Sequence, residues 1–150
     1  MLKLSESVYN ALRKHGEETY PHECCGVLLG RSQDDVNEVE DAVRAGNTRT
    51  DSAHNRYQIA PQELVKIQRQ GRERGLDIVG FYHSHPDHPA QWSKTDFAEA
   101  HWLGCSYVIT AIANGVAQQT NSFLLTGTTE EDKSFEDETI QVEELVAGRC

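Results

Sequence analysis

Two histidines one residue apart, in the run His83-Ser84-His85-Pro86, followed by Ser93 and Asp96, carry the clearest chemical content of this sequence. On an extended segment, residues two apart point to the same side, so His83 and His85 can present two imidazoles to one cation. Asp96 lies one turn beyond Ser93, where a helix starting there returns its carboxylate to the end of the preceding strand. Two imidazoles and a carboxylate suit zinc. Three protein ligands leave the fourth tetrahedral position to water, the arrangement of catalytic rather than structural zinc sites. Hydrolysis would further need a base for that water and a donor for the developing oxyanion. Glu23 and Ser93 are available for those tasks, and spacing alone assigns neither.

Competing chemistries are poorly supplied. His22-Glu23 would begin an HExxH helix, but the fifth position is Gly26 and the second histidine is missing. A zinc deaminase needs a CxxC element, which the chain lacks. Ser84 points away from its two histidine neighbours on an extended segment and is not their nucleophile. His54, His88 and His101 read as solvated side chains. Cys24 and Cys25 are adjacent while Cys105 and Cys150 stand alone, so the four cysteines read as reduced, mostly buried thiols rather than a disulfide framework. At most one of Cys24 and Cys25 can face the metal side of a strand. Trp92 and Trp102 either line a substrate groove or pack on the sheet, and packing is the expectation for Trp102.

The elements that must position these residues follow from periodicity. Leu4, Val8, Ala11 and Leu12 give an amphipathic helix over 5–19, ending before Pro21. Cys24 to Gly30 is a short apolar run, a buried strand with Glu23 at its mouth. Residues 36–44 and 56–59 are weaker strand candidates around a polar loop. Pro61 opens a second helix that Gly75 stops. Asp77 to His83 is the clearest strand, Ser93 to Leu103 a third helix, and Tyr107–Ala113 with Val116–Leu125 a hairpin turning at Asn114-Gly115. Residues 126–150 form an acidic segment expected to be flexible, with a final edge strand over Thr139–Val142. The fold class is α/β, a mixed sheet flanked by helices.

Length fits one domain over residues 1–150. A formal net charge of -10 excludes a phosphate-backbone binder, so nucleic acid is not an expected partner. No apolar stretch approaches a membrane span and no signal sequence opens the chain, so a soluble cytoplasmic protein is expected.

The order Glu23, His83-Ser84-His85, seven intervening residues, Ser93, two more and Asp96 resembles the signature of the JAMM, or MPN+, metalloproteases. The flanking runs Pro21 to Gly30 and Asp77 to Tyr82 resemble that family's strands, and the likeness spans about residues 1–125. The resemblance implies a mixed sheet between helices, similar to cytidine deaminases. It implies one zinc ion per chain on His83, His85 and Asp96, with Glu23 as general base and Ser93 steadying the tetrahedral intermediate. The chain looks like the compact bacterial members. Their substrates are ubiquitin-like or sulfur-carrier proteins with a Gly-Gly tail, cut at the terminal glycine, in some cases with release of cysteine for biosynthesis. Two other readings are a non-catalytic MPN scaffold or carrier-binding module and a metal-binding regulatory or storage protein. Oligomeric state is left open.

Overall fold

The central strands form where the sequence is continuously apolar and the long helices where apolar residues recur every three to four positions, in a computed structural model that describes residues 1–47 and 57–144. β1 (Leu2–Ser5) runs into α1 (Glu6–Thr19), followed by the hairpin of β2 (Cys25–Gln33) and β3 (Val36–Ala45). α2 (Pro61–Glu73) leads to β4 (Asp77–Pro86), then α3 (Lys94–Ala98), β5 (Ser106–Ala113), β6 (Val116–Thr126), β7 (Ser134–Glu138) and β8 (Ile140–Glu143). These strands make one mixed sheet in the order β7-β6-β5-β4-β2-β3-β1-β8. β4 pairs parallel with β5 and antiparallel with β2. The mixed sheet with flanking helices is the expected architecture.

The end strands β7 and β8 are separated in sequence by Thr139 alone, so the sheet must curl until its two edges approach. At that turn the Leu2 amide donates to the Thr139 carbonyl at 2.9 Å, where β8 begins its pairing with β1. α1 lies in the curl, touching β1, β3, β4, β5, β6 and β8. Its first turn is capped by Ser5, whose hydroxyl accepts from the Val8 amide. Leu12, Leu28, Val79, Tyr82 and Val108 form the core beneath it. On the other face α2 covers Val27, Leu29, Ile78, Phe81 and Tyr107 with Ile67. Burial on both faces explains the unbroken apolar runs of β2 and β4.

Two local features set the faces. Gly26 has no side chain because the Tyr82 ring occupies that space: a Cβ there would sit 2.1 Å from the ring. The ring thereby crosses β2, and its hydroxyl meets His15 Nδ1 at 2.8 Å in the buried interior. In β4, Leu28 pairs with Gly80 but Leu29 with Ile78, leaving Val79 as a bulge. The extra residue lets Ile78 and Phe81, three apart, share the outer core, and it fixes Phe81, His83 and His85 on that same face.

Several elements differ from their sequence expectation. β1 precedes the first helix, and its parallel partners β3 and β8 lie far along the chain. The strand candidate at 56–59 is irregular over residues 57–59, and residue 56 lies outside the described residues. β3 already has β1 and β2 as neighbours, so Tyr57 and Ile59 are apolar because they pack on the outer core rather than because they pair. The third helix ends at Ala98 instead of Leu103. Beyond it Ala100 is buried and Trp102 sets its ring edge-on to Phe81 at 5.4 Å, so the chain dives into the core and turns again at Gly104, where φ is +85°. The acidic segment beyond Thr126 contains β7 as well as the edge strand β8. Phe135 anchors β7 among Phe97, Tyr107 and Phe123, a single apolar residue among charges that periodicity does not reveal. The Asn114-Gly115 hairpin turn has positive φ at both residues, as expected. Among the described residues, no helix is long and apolar enough to cross a membrane.

Candidate metal centre

β4 carries His83 and His85 at its carboxyl end, two residues apart and on the outer face, with their Nε2 atoms 3.1 Å from each other. Asp96 reaches them from α3, placing Oδ1 3.2 Å from His83 Nε2 and Oδ2 3.1 Å from His85 Nε2. Ser93 fixes that carboxylate through a capping box: its hydroxyl accepts from the Asp96 amide at 3.0 Å, and its own amide donates to Asp96 Oδ2 at 2.9 Å. Asp96 therefore serves the helix cap and faces both histidines at once.

The residues fit a tetrahedral divalent ion. Ligands about 2.0–2.1 Å from a common centre stand roughly 3.3 Å apart; here the two Nε2 atoms are 3.1 Å apart, each lies 3.1–3.2 Å from its own oxygen of Asp96, and one donor atom from each of the three residues lies within 4.8 Å of the others. His85 Nδ1 lies 2.9 Å from the Pro89 carbonyl oxygen, a partner that takes the ring proton and leaves Nε2 a lone pair. His83 Nδ1 is buried with no hydrogen-bond partner among the described residues, and Tyr57 stacks on its ring at 4.4 Å and 25°. Burial lowers the pKa of His83 against the opposing charge of Asp96. Burial also presses on His85, but the hydrogen bond and charge of Asp96 outweigh it and raise the pKa. For Asp96, burial is outweighed by His83, His85 and the Ser93 amide, which hold the carboxyl well below its usual range. The carboxylate is thus ionised, the form that binds cations.

Glu23 enters from the antiparallel neighbour. Cys25 pairs with His83, so two residues earlier on β2's approach Glu23 is level with His85 and on the same face. The contact between the strands extends one residue past that pair, since the Ser84 amide donates to the Cys24 carbonyl and the Cys24 amide to Ser84 Oγ at 2.8 Å. Ser84 is thereby a buried strut on the inner face, as expected from alternation. Glu23 is 4% exposed, and its Oε1 has no partner among the described residues. Burial pushes its carboxyl up to about 8, with His85 opposing and Asp96 and Glu99 adding. A buried carboxyl shifted into the neutral range beside a cation site is suited to taking and returning a proton.

Two cavities adjoin these residues. One of about 360 Å³ is lined by Glu23, His85, His88, Pro89, Trp92 and Ser93. The other, of about 340 Å³, is lined by Tyr57, Ile59, Phe81, Glu99, Trp102 and Tyr107. Trp102 packs as expected, though from the turn after α3, and also lines a cavity. His88 lines a cavity without joining the donor triad, and His101 pairs with Glu130 on the surface. His54 and Cys150 lie outside the described residues. Cys24, Cys25 and Cys105 are buried free thiols, and burial pushes Cys24 up to about 11 and Cys105 up to about 12. Tyr57 was not singled out by sequence, because an isolated aromatic at the end of a polar stretch has no periodic signal.

The sequence pattern described as prokaryotic homologs of the JAB domain matches residues 5–125. The chain belongs to the prokaryotic JAB-domain family. This is the JAMM-type grouping that the spacing of Glu23, His83, His85, Ser93 and Asp96 resembles. The JAB domain is 36% identical over 104 residues to a Haloferax volcanii protein named desampylase, covering 69% of this chain and 73% of that one. It is 30% identical over 102 residues to a Thermus thermophilus protein named probable TtuB-protein conjugate cleaving protease, covering 68% of this chain and 65% of that relative. Among solved structures, it is similar to a Desulfitobacterium hafniense protein with a TM-score of 0.81 and 26% identity, covering 99% and 97% of the two chains. A Salinibacter ruber protein gives a TM-score of 0.71 and 36% identity over 93% and 90%.

Proposed function

We propose that this JAB domain is a zinc-dependent peptidase that hydrolyses the peptide or isopeptide bond after the C-terminal glycine of a ubiquitin-like protein. The observation that carries the reading is the convergence of the His83 and His85 Nε2 atoms, 3.1 Å apart, on the two oxygens of Asp96 at 3.1–3.2 Å, beside a buried carboxyl with an unpartnered oxygen. His83, His85 and Asp96 would hold the ion, which when bound activates water and polarises a carbonyl. Glu23 takes a proton from the attacking water and returns it to the leaving amine. The Ser93 hydroxyl, whose oxygen is oriented by the Asp96 amide, donates to the developing oxyanion.

The names of the two curated relatives, a desampylase and a conjugate cleaving protease, favour an amine of a conjugated protein as leaving group over free cysteine. The intact donor set favours an enzyme over a scaffold or storage protein. We read residues 1–150 as one domain acting in the cytoplasm on a Gly-Gly tail. The test is to incubate the purified protein with a ubiquitin-like protein joined through its terminal glycine to a lysine, and to weigh the products. Release of the intact modifier with a free glycine carboxylate is expected, blocked by a chelator, restored by zinc and absent in Glu23→Gln. Chelator-resistant cleavage, or none in the zinc-loaded protein, contradicts the reading.

A further inference from the structure

Asp96 sits on a five-residue helix with no fully buried side chain of its own. So short a helix does not hold itself together, and its last carbonyls need partners from elsewhere. The N-terminal end is closed by Ser93 and Asp96 themselves. The C-terminal end is closed from far along the chain by Lys133, in the connection between β6 and β7.

The Lys133 side chain is only 6% exposed. Its ammonium donates to the Ala100 carbonyl at 2.9 Å and to the Ala98 carbonyl at 3.5 Å, and it pairs with Glu130. The same group lies 5.0 Å from the centre of the Phe97 ring, the residue next to Asp96. An ammonium has three donors, and three acceptors surround this one. A cation there also complements the helix dipole. Glu130 in turn accepts from His101 at 3.0 Å, which ties the segment after α3 into the same cluster. Phe135, two residues beyond Lys133, packs on Phe97 at 5.5 Å and on Trp92 at 5.4 Å. Glu130, Lys133 and Phe135 lie outside the 5–125 span that matches the family pattern.

We propose that Lys133 is a positioning residue for the metal centre: by holding the carbonyls at the end of α3, it sets the Asp96 carboxylate against His83 and His85. The functional half of this rests on the reading of Asp96 as a ligand under Proposed function. Lys133→Met keeps the aliphatic stem over Phe97 and removes every donor, whereas Lys133→Arg keeps charge and donors.

Amide hydrogen exchange on the metal-free full chain reads the clamp without any metal. Lys133→Met is expected to speed exchange at Phe97, Glu99 and Ala100 about tenfold while β4 amides keep their protection, and Lys133→Arg is expected to restore much of it. Zinc affinity by chelator competition, at a temperature where all variants are folded, reads the consequence. About tenfold weakening in Lys133→Met is expected, the low end of what lost outer-shell partners produce. Unchanged exchange at these amides overturns the clamp, and faster exchange with undiminished zinc affinity overturns the positioning role. Should the unaltered chain bind no zinc, the peptidase reading and the positioning role both fall, while the exchange result still decides the clamp. Glu130→Gln, which leaves the two carbonyl bonds in place, is expected to fall between wild type and Lys133→Met and provides a second variant should the latter fold poorly.

Discussion

Asp96 and His83, thirteen positions apart on α3 and β4, meet with Oδ1 and Nε2 3.2 Å apart, while the other carboxylate oxygen faces His85. The second oxygen is held by the Ser93 amide, so the carboxylate is oriented before any cation arrives. Asp96→Asn keeps the shape and the cap but gives up the charge. Zinc affinity is expected to fall by more than about 100-fold, beyond the range for lost outer-shell partners, while secondary structure is retained. Equilibrium dialysis and circular dichroism measure the two quantities.

Glu23 links catalysis to stability with opposite signs. Burial raises its carboxyl to about 8 in the folded chain, against about 4.3 for an unfolded glutamate. Folding therefore favours the protonated form, and its contribution is full at low pH and drains away as pH rises through about 8. Metal-free Glu23→Gln is expected to match wild type near pH 4 and to be the more stable by on the order of 3 kcal/mol above pH 8. Urea denaturation at the two pH values checks this. A constant difference between the variants contradicts it.

His15 produces the reverse dependence on the inner face. Burial first, then the Arg44 charge, with Glu18 opposing, lowers it to about 4 in the fold. An unfolded histidine titrates near 6.5, so the folded state disfavours the proton and stability declines as pH falls from about 6.5 to 4. The contribution is at most about 3 kcal/mol. Replacing it by glutamine, which cannot ionise, is expected to flatten that part of the difference curve in denaturation series from pH 7 to 4.

Gly26→Ala tests the close approach of β2 and Tyr82. The added Cβ would lie 2.1 Å from the Tyr82 ring, and overpacking of this kind destabilises by about 1–3 kcal/mol or more. Tyr82 is next to His83, so a lower urea midpoint is expected together with weaker zinc binding. An unchanged midpoint would show that the ring has room to move.

Much of the site was legible in the sequence because its residues obey short-range rules. His83 and His85 alternate on a strand, and Ser93 with Asp96 spells a helix cap, so each pair is nearly local. The meeting of the pairs is not local, and only the resemblance brought Glu23 to them. The bulge at Val79 has no sequence signature, yet it puts Ile78 in the outer core along with the histidine face. β1 escaped notice because its alternation, Leu2-Lys3-Leu4-Ser5, lasts only four residues and Leu4 also fits the helical spacing that follows, and β7 because the half-buried Phe135 is its one apolar anchor. Helical patterning after Ser93 ran past the true end at Ala98, since Ala100 and Trp102 are apolar for the core and not for a helix face. Lys133 carries no periodic signal in its acidic stretch, and only the returning chain shows the carbonyls it serves.

The most direct measurement is anomalous scattering at the zinc edge from crystals of the zinc-loaded protein. A single strong peak about 2.0–2.2 Å from His83 Nε2, His85 Nε2 and an Asp96 oxygen is expected. No peak at that position, or one held by other side chains, would contradict the metal centre and the hydrolysis derived from it.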